Sequence, residues 1–294
     1  MTTLTPEAVE PAATALLDTM VPLTLAADRR INPGRWVLSP LYATVDDTVF
    51  EDRSHAIEWM NTHAGTVRGC VRIAHETGHY ETAWTLCEGL WAWLHISKNW
   101  RLWRTTHEIG LEAAERCDIT AQARMLSALG ALHLWTDNLD EAERLHQRAR
   151  SLWVSAVHAL GQATSLENLG IIALKQGTPI AAREYFRQAR TMFSDLGVER
   201  GVVLMERRIG ESYRDSGDYD QAETNLRSAL GWFLDSGDDY QVIRTRRSLA
   251  LTLQGQQRDE AARELLEEAR RLAETIGATT DAEEFSRLAD QVRS

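Results

Sequence analysis

From about Ala121 to the C-terminus, apolar and small positions return every forty residues. A Leu-Gly-like pair recurs as Leu129 and Gly130, Leu169 and Gly170, Ile209 and Gly210, and Leu249 and Ala250. Alanines follow at Ala142, Ala182, Ala222 and Ala262, and again at Ala149, Ala189, Ala229 and Ala269. Gly197, Gly237 and Gly277 close the later units. Series that share one period mark a repeat protein, in which each unit buries its apolar face only against its neighbours. Each unit reads as two helices. In the second, Leu166, Leu169, Ile172 and Ala173 fall at helical spacing, and Gly177 ends the helix. Thr178 then serves as N-cap, with Pro179 at the first helical position, where its missing N–H costs nothing. The recurring Gly and Ala are expected where two helices cross closely.

The chain before this region is less regular. Ala12 to Arg30 predicts a helix broken or kinked near Pro22. Asn32 to Phe50 holds no helical period, and Asn32, Pro33, Gly34, Ser39 and Pro40 mark it as an ordered or semi-ordered linker, or else a disordered arm. Helix resumes with Ala56–Glu76, Tyr80–Ser97 after Gly78, and Trp100–Cys117. Four regular units follow near 119–157, 159–197, 199–237 and 239–277, and Thr280–Arg293 predicts a capping helix. The expected domains are 1–50 (helix and linker), 51–118 (irregular repeats), 119–277 (four regular repeats) and 278–294 (cap). The expected fold class is all-α, a helical-repeat solenoid of hairpins of about forty residues.

The segment from Gly210 through Tyr213, Gly217, Asp218 and Tyr219 to Ala222 resembles a tetratricopeptide repeat, whose usual unit is about 34 residues. Further motifs extend the resemblance to the antibiotic-regulatory class of actinobacterial regulators. Ala15-Leu-Leu-Asp18, Ala26-Ala-Asp-Arg29 and Pro33 resemble the connector between the signal-transduction ATPase and the repeats in that class. His55-Ala-Ile-Glu-Trp59-Met60 resembles the segment that opens their repeats, although His63 and Thr66-Val67 stand where the class carries Glu and Asn-Leu. The resemblance implies a regulatory adaptor or sensor whose concave groove binds a peptide or protein segment. The implied partner is such an ATPase or a transcriptional regulator, with no cofactor and no catalysis. No GxxxxGK[ST] stretch occurs, so no phosphate-cradling loop is expected in this chain.

Composition narrows this further. The 294 residues carry 43 acidic against 32 basic side chains, a net charge of −11, which argues against direct nucleic-acid coating or an anionic membrane as partner. Three cysteines without CxxC spacing, Cys70, Cys87 and Cys117, fit a reducing, cytoplasmic setting and are each expected to be buried. The N-terminal stretch has no basic n-region and no apolar h-region, so no secretion signal is expected there, and no apolar run reaches spanning length.

Three groups carry candidate chemistry. First helices of tetratricopeptide units line the inner surface, which selects Arg124, Glu167, Arg207, Arg208, Glu211, Arg214, Arg244 and Arg247 as partner-binding residues. Guanidinium forks there would take an acidic peptide or a chain terminus, unless they pair internally with Glu206, Asp215, Asp238 or Asp239. Trp84, Trp91, Trp93, Trp100, Trp103 and Trp135 either fill gaps between irregular helices or line a ligand pocket. His75, Glu76 and His79 match H-E-x-x-H, with Glu88 or His107 as conceivable third ligands of a zinc hydrolase. Gly78, however, lies between the histidines where a helix must end. A stand-alone scaffold for biosynthetic proteins is a further alternative.

Overall fold

The computed structural model describes residues 6–292, with side chains from residue 11 onward. Among them regular structure is entirely helical. The first helices are α1 (Pro6–Ile31), α2 (Arg53–Glu76), α3 (Tyr80–Ser97), α4 (Trp100–Ala114), α5 (Ile119–Trp135) and α6 (Leu139–Ser155). Then come α7 (Ala159–Lys175), α8 (Pro179–Asp195), α9 (Glu199–Asp215) and α10 (Tyr219–Ser236). The last are α11 (Asp239–Gly255), α12 (Asp259–Thr275) and α13 (Thr279–Gln291). A 3-10 turn covers Pro40–Thr44. α1 is a single helix that includes both Pro11 and Pro22. α4 ends before Cys117, and that thiol is exposed, which corrects the expectation of three buried cysteines; Cys70 and Cys87 are buried.

The chain forms two compact units, residues 1–161 and residues 162–294. In the first, α1 packs on α2 and α3, and the following helices pack in sequence to α6. Met60, Leu86, Leu90, Leu94, Trp103, Met125 and Trp153 form its core. In the second, α8 to α13 pack each on the next around Phe186, Phe193, Leu226, Phe233, Leu249, Leu266 and Phe285. Each such side chain removed from water stabilises the fold by about 1.5–3 kcal/mol.

The small residues sit where crossing helices leave no space. A Cβ on Gly170 would lie 2.4 Å from the Phe186 ring, and one on Gly210 would lie 2.8 Å from Leu226 Cγ. Ala182, Ala222 and Ala262 are fully buried. Helix ends have their own period. Asp137, Val157, Gly177, Gly197, Gly217, Gly237, Gln257 and Gly277 follow at twenty-residue intervals, and all take the left-handed conformation. At Gly177 this lets its N–H reach Leu174 O (3.0 Å) and lets Thr178 N–H reach Ala173 O (2.9 Å), closing the orphan carbonyls of α7. Thr178 precedes Pro179 as expected, but its hydroxyl donates back to Ala173 O rather than capping α8.

Candidate functional site

In the first unit the first helices α3 and α5 touch, and the extended segment 35–39 lies against them. Glu88 of α3, 1% exposed, accepts two consecutive backbone N–H groups, from Leu38 (3.0 Å) and Ser39 (2.9 Å). Its Oε1 also accepts from Arg124 Nε of α5 (2.8 Å). Arg124 donates onward to the Trp36 carbonyl (3.2 Å), and its guanidinium stands 4.2 Å from the Trp36 ring centroid. Thr85 Oγ1 donates to Ser39 Oγ at 2.7 Å. Thus one carboxylate and one guanidinium hold a stretch of main chain by its donors and acceptors.

A second knot ties down the ends of that segment. Asp28 of α1, 1% exposed, accepts from Arg35, from Tyr42 Oη (2.7 Å) and from the Ala92 N–H (3.1 Å). Arg35 also donates to the Glu88 carbonyl (3.2 Å) and lies 5.2 Å from the Trp91 ring centroid. Burial disfavours the Arg35 charge, but Asp28 and Glu88 beside it more than compensate and keep it protonated. Trp36 closes the other side, edge-on to Trp153 at 6.0 Å and tilted against His158 at 5.5 Å.

In the second unit the first helices are α9, α11 and the part of α7 from Gln162 onward. Glu211 lies at their centre. It accepts from Arg207 (3.1 Å), Arg208 (3.0 Å) and the Ser248 hydroxyl (2.7 Å). Burial opposes its charge, yet Arg207 and Arg208 hold its carboxyl well below the usual range. Arg207, 3% exposed, is brought down to about 10, chiefly by burial. Arg214 pairs with Asp215 (2.7 Å), and Arg247 pairs with Glu284 of α13 (2.7 Å). Two charges on this face are in no close ion pair. Glu167 is half-buried without a hydrogen bond or ion pair, and burial raises its pKa against the nearby Arg208, Arg207 and Arg200. Arg244 is also half-buried and donates to the Tyr240 hydroxyl at 3.3 Å; it is in no ion pair, and although burial opposes its charge, Tyr240, Glu211 and Asp281 nearby raise its pKa.

The profile of the tetratricopeptide repeat matches residues 121–195 and 202–275, just over half of the sequence. The chain belongs to the tetratricopeptide-repeat family. No curated protein matches it significantly. Among solved structures it is similar to BtubC (BKLC) from P. vanneervenii, at 18% identity and a TM-score of 0.61, covering 76% of this chain and 92% of that one. It is also similar to the Rap conjugation gene regulator of plasmid pLS20 in complex with the Phr* peptide, at 18% identity and a TM-score of 0.59. There the match covers 72% of this chain and 58% of the regulator. A third likeness is to a signal transduction ATPase with numerous domains that carries a tetratricopeptide repeat sensor, from Pyrococcus horikoshii. Its identity is 13%, its TM-score 0.57, and the match covers 97% of this chain but 55% of the ATPase. At such identities the likeness is one of fold.

The tetratricopeptide frame separates the remaining candidates. Arg124 stands in the first unit and the other seven charged residues in the second. Of the six tryptophans, Trp84, Trp93 and Trp103 are buried in the core, Trp91 and Trp100 are half-buried, and Trp135 is 51% exposed. Lys98 lays its ammonium 3.5 Å from the Trp135 ring centroid. His75 ends α2 and faces Glu112 at 3.7 Å, while His79 precedes α3 and bonds Thr77 at 2.8 Å. Gly78 between them has φ +79°. Among the described residues no three His, Cys, Asp or Glu side chains gather as metal ligands would, and no helix is long and apolar enough to cross a membrane.

Sequence reasoning missed Glu88 as a main-chain clamp, together with Asp28, Arg35, Trp36 and Tyr42. One signal was present. Glu88 is the ninth residue of α3 and Glu167 the ninth of α7, while Arg124 and Arg244 are each the sixth of α5 and α11. The same charges recur at the same helical positions.

Proposed function

We propose that this chain is a non-enzymatic interaction module, a regulatory adaptor or sensor that holds a peptide or protein segment on the first-helix face of residues 162–294. The observation that carries the reading is Arg244, a half-buried guanidinium in no ion pair and hydrogen-bonded to the Tyr240 hydroxyl, beside the Arg207, Arg208 and Glu211 cluster. A guanidinium kept from full hydration gains most from a carboxylate or carbonyl brought by a guest. The first-helix face of the first unit, which holds the chain's own segment 35–39, supports this reading. The Phr*-bound Rap regulator, a relative in fold, supports the same mode, and the ATPase with a repeat sensor supports a signalling context. In this reading the partner is a protein of a regulatory system, such as a signal-transduction ATPase of the antibiotic-regulatory class.

Selection of a displayed library of random 12-residue peptides against the whole chain tests this. Enriched sequences that bind the free protein and lose affinity on Arg244→Glu are expected. Failure to enrich any binder, or binders indifferent to Arg244→Glu, overturns the proposal.

A further inference from the structure

The two unpaired charges of the second unit occupy the helical positions that grip main chain in the first. Glu167 corresponds to Glu88, the ninth residue of its helix, and Arg244 corresponds to Arg124, the sixth. In the first unit the pair is consumed: Glu88 takes the N–H groups of Leu38 and Ser39, and Arg124 gives to the Trp36 carbonyl. In the second unit the sixth position of α9 is Leu204, so no arginine stands there to bond Glu167 as Arg124 bonds Glu88, and Arg208, Arg207 and Arg200 of α9 act on it through charge alone. Neither Glu167 nor Arg244 is in an ion pair, and both are half-buried, so both are partly stripped of water without a hydrogen-bonded counter-charge.

We propose that Glu167 and Arg244 are the two ends of a main-chain clamp for an extended partner strand, Glu167 accepting its backbone N–H groups and Arg244 donating to a backbone carbonyl. This rests on the module reading above and specifies how the guest is held. The own segment of the first unit sets the direction. Its carbonyl end, Trp36, lies on the arginine's helix, and its later residues, Leu38 and Ser39, lie on the glutamate's helix. A partner strand therefore runs with its amino end over α11 and its carboxyl end over α7. With α9 between them, two helix spacings of about 8–10 Å separate the clamp points. Extended chain at about 3.3 Å per residue covers that with roughly six residues. Because the grip is on main chain, the guest is defined by an extended, proline-poor backbone more than by side chains. Arg207, Arg208 and Glu211, paired with one another, form the floor beneath its middle.

The test uses a peptide from the random 12-residue library that binds the chain, resynthesised as a series with each backbone amide N-methylated in turn. Glu167→Gln and Arg244→Gln keep size and shape, and helicity by circular dichroism checks that each variant folds. Each substitution should weaken the peptide roughly 10- to 100-fold, the share of a hydrogen bond to a charged group. One or two adjacent N-methylations should weaken it similarly, and in Glu167→Gln those same N-methylations should cost nothing further. Losses that simply add, or tolerance of N-methylation everywhere while the peptide still binds, overturn the clamp and leave the module reading standing. Absence of any binding peptide removes both.

Discussion

Residues 1–161 and residues 162–294 are built from similar hairpins but treat the face of their first helices in opposite ways. In the first unit Glu88, Arg124, Asp28 and Arg35 are buried and spent on the chain's own segment 35–39. In the second, charge at the same helical positions is left at Glu167 and Arg244 outside any ion pair. The filled face is also the irregular one. It carries all nine histidines and nine of the ten tryptophans, whereas the second unit has Trp232 and no histidine. Large aromatic and imidazole side chains suit a unit that wraps an internal strand, because its gaps are wide and uneven. A unit that stacks regular hairpins can close with Ala, Gly, Leu and Phe. The comparison teaches that position in the repeat sets where a charge points, and the neighbouring chain decides whether it is structural or available.

Acid should separate the two units most strongly. Burial brings His107 to about 3, and both His95 and His146 to about 4. These values lie below the unfolded value near 6.5, so the unfolded chain takes up protons first. Stability is therefore complete above about 6.5, falls as pH drops below it, and levels off only near the folded values. At about pH 5 the loss is about 2 kcal/mol for each of the three imidazoles, all in the first unit. The second unit should hold until the carboxylate range, since Glu211 is depressed and loses its contribution only as pH falls through its low folded value. Hydrogen exchange corrected for intrinsic rates, at about pH 7 and about pH 5, should show protection lost between α1 and α6 and kept between α8 and α13. Both nitrogens of His146 are buried without a partner where Phe186, Leu226 and Leu266 stand in later units. His146→Leu should thus abolish its share of the acid effect; an unchanged acid loss would show that burial of this imidazole is not the cause.

The next contrast is between two arginines at one helical position. Arg124→Met leaves Glu88 buried with its closest cation gone and only Arg35 at 3.8 Å, so it should cost about 3–5 kcal/mol. Protease sensitivity of residues 32–50 should rise with it. Arg244→Met removes a charge that is in no ion pair and should change stability by less than about 0.5 kcal/mol. Equal losses in urea unfolding of the two variants would erase the distinction between a spent and a free position.

Much of this architecture was legible beforehand. The forty-residue spacing of Gly130, Gly170 and Gly210 located helix crossings, because contacts between consecutive helices are local and must recur in every unit. Gly177 and Pro179 located a turn for the same reason. The clamp on segment 35–39 was hidden, since it joins Leu38 to Glu88 and Trp36 to Arg124 across long stretches of chain. Nothing local to Asn32, Pro33 and Gly34 says where the following residues dock. The candidate arginines were found by register, but register alone did not separate Arg207, 3% exposed and paired, from Arg244, which has no carboxylate partner.

A further, small predicted effect sharpens the same contrast at the helix ends. The second unit places glycine at Gly177, Gly197, Gly217, Gly237 and Gly277, where φ is positive, and departs only at Gln257. The first unit uses Gly78 but also Lys98, Asp137 and Val157. Of these Val157 is the most strained, a β-branched residue at φ +53° with its side chain 86% exposed and so little packing to lose. The left-handed region costs a residue with a Cβ about 1–2 kcal/mol. Glycine removes that cost but returns about 0.5–1 kcal/mol through the greater freedom of its unfolded chain. Val157→Gly should therefore stabilise by about 0.5–1 kcal/mol, read as a higher urea midpoint at unchanged slope. The reverse change, Gly177→Val, should lose about 0.5–1 kcal/mol by the same balance. A destabilised Val157→Gly would mean that the exposed side chain has a role in packing that its exposure denies.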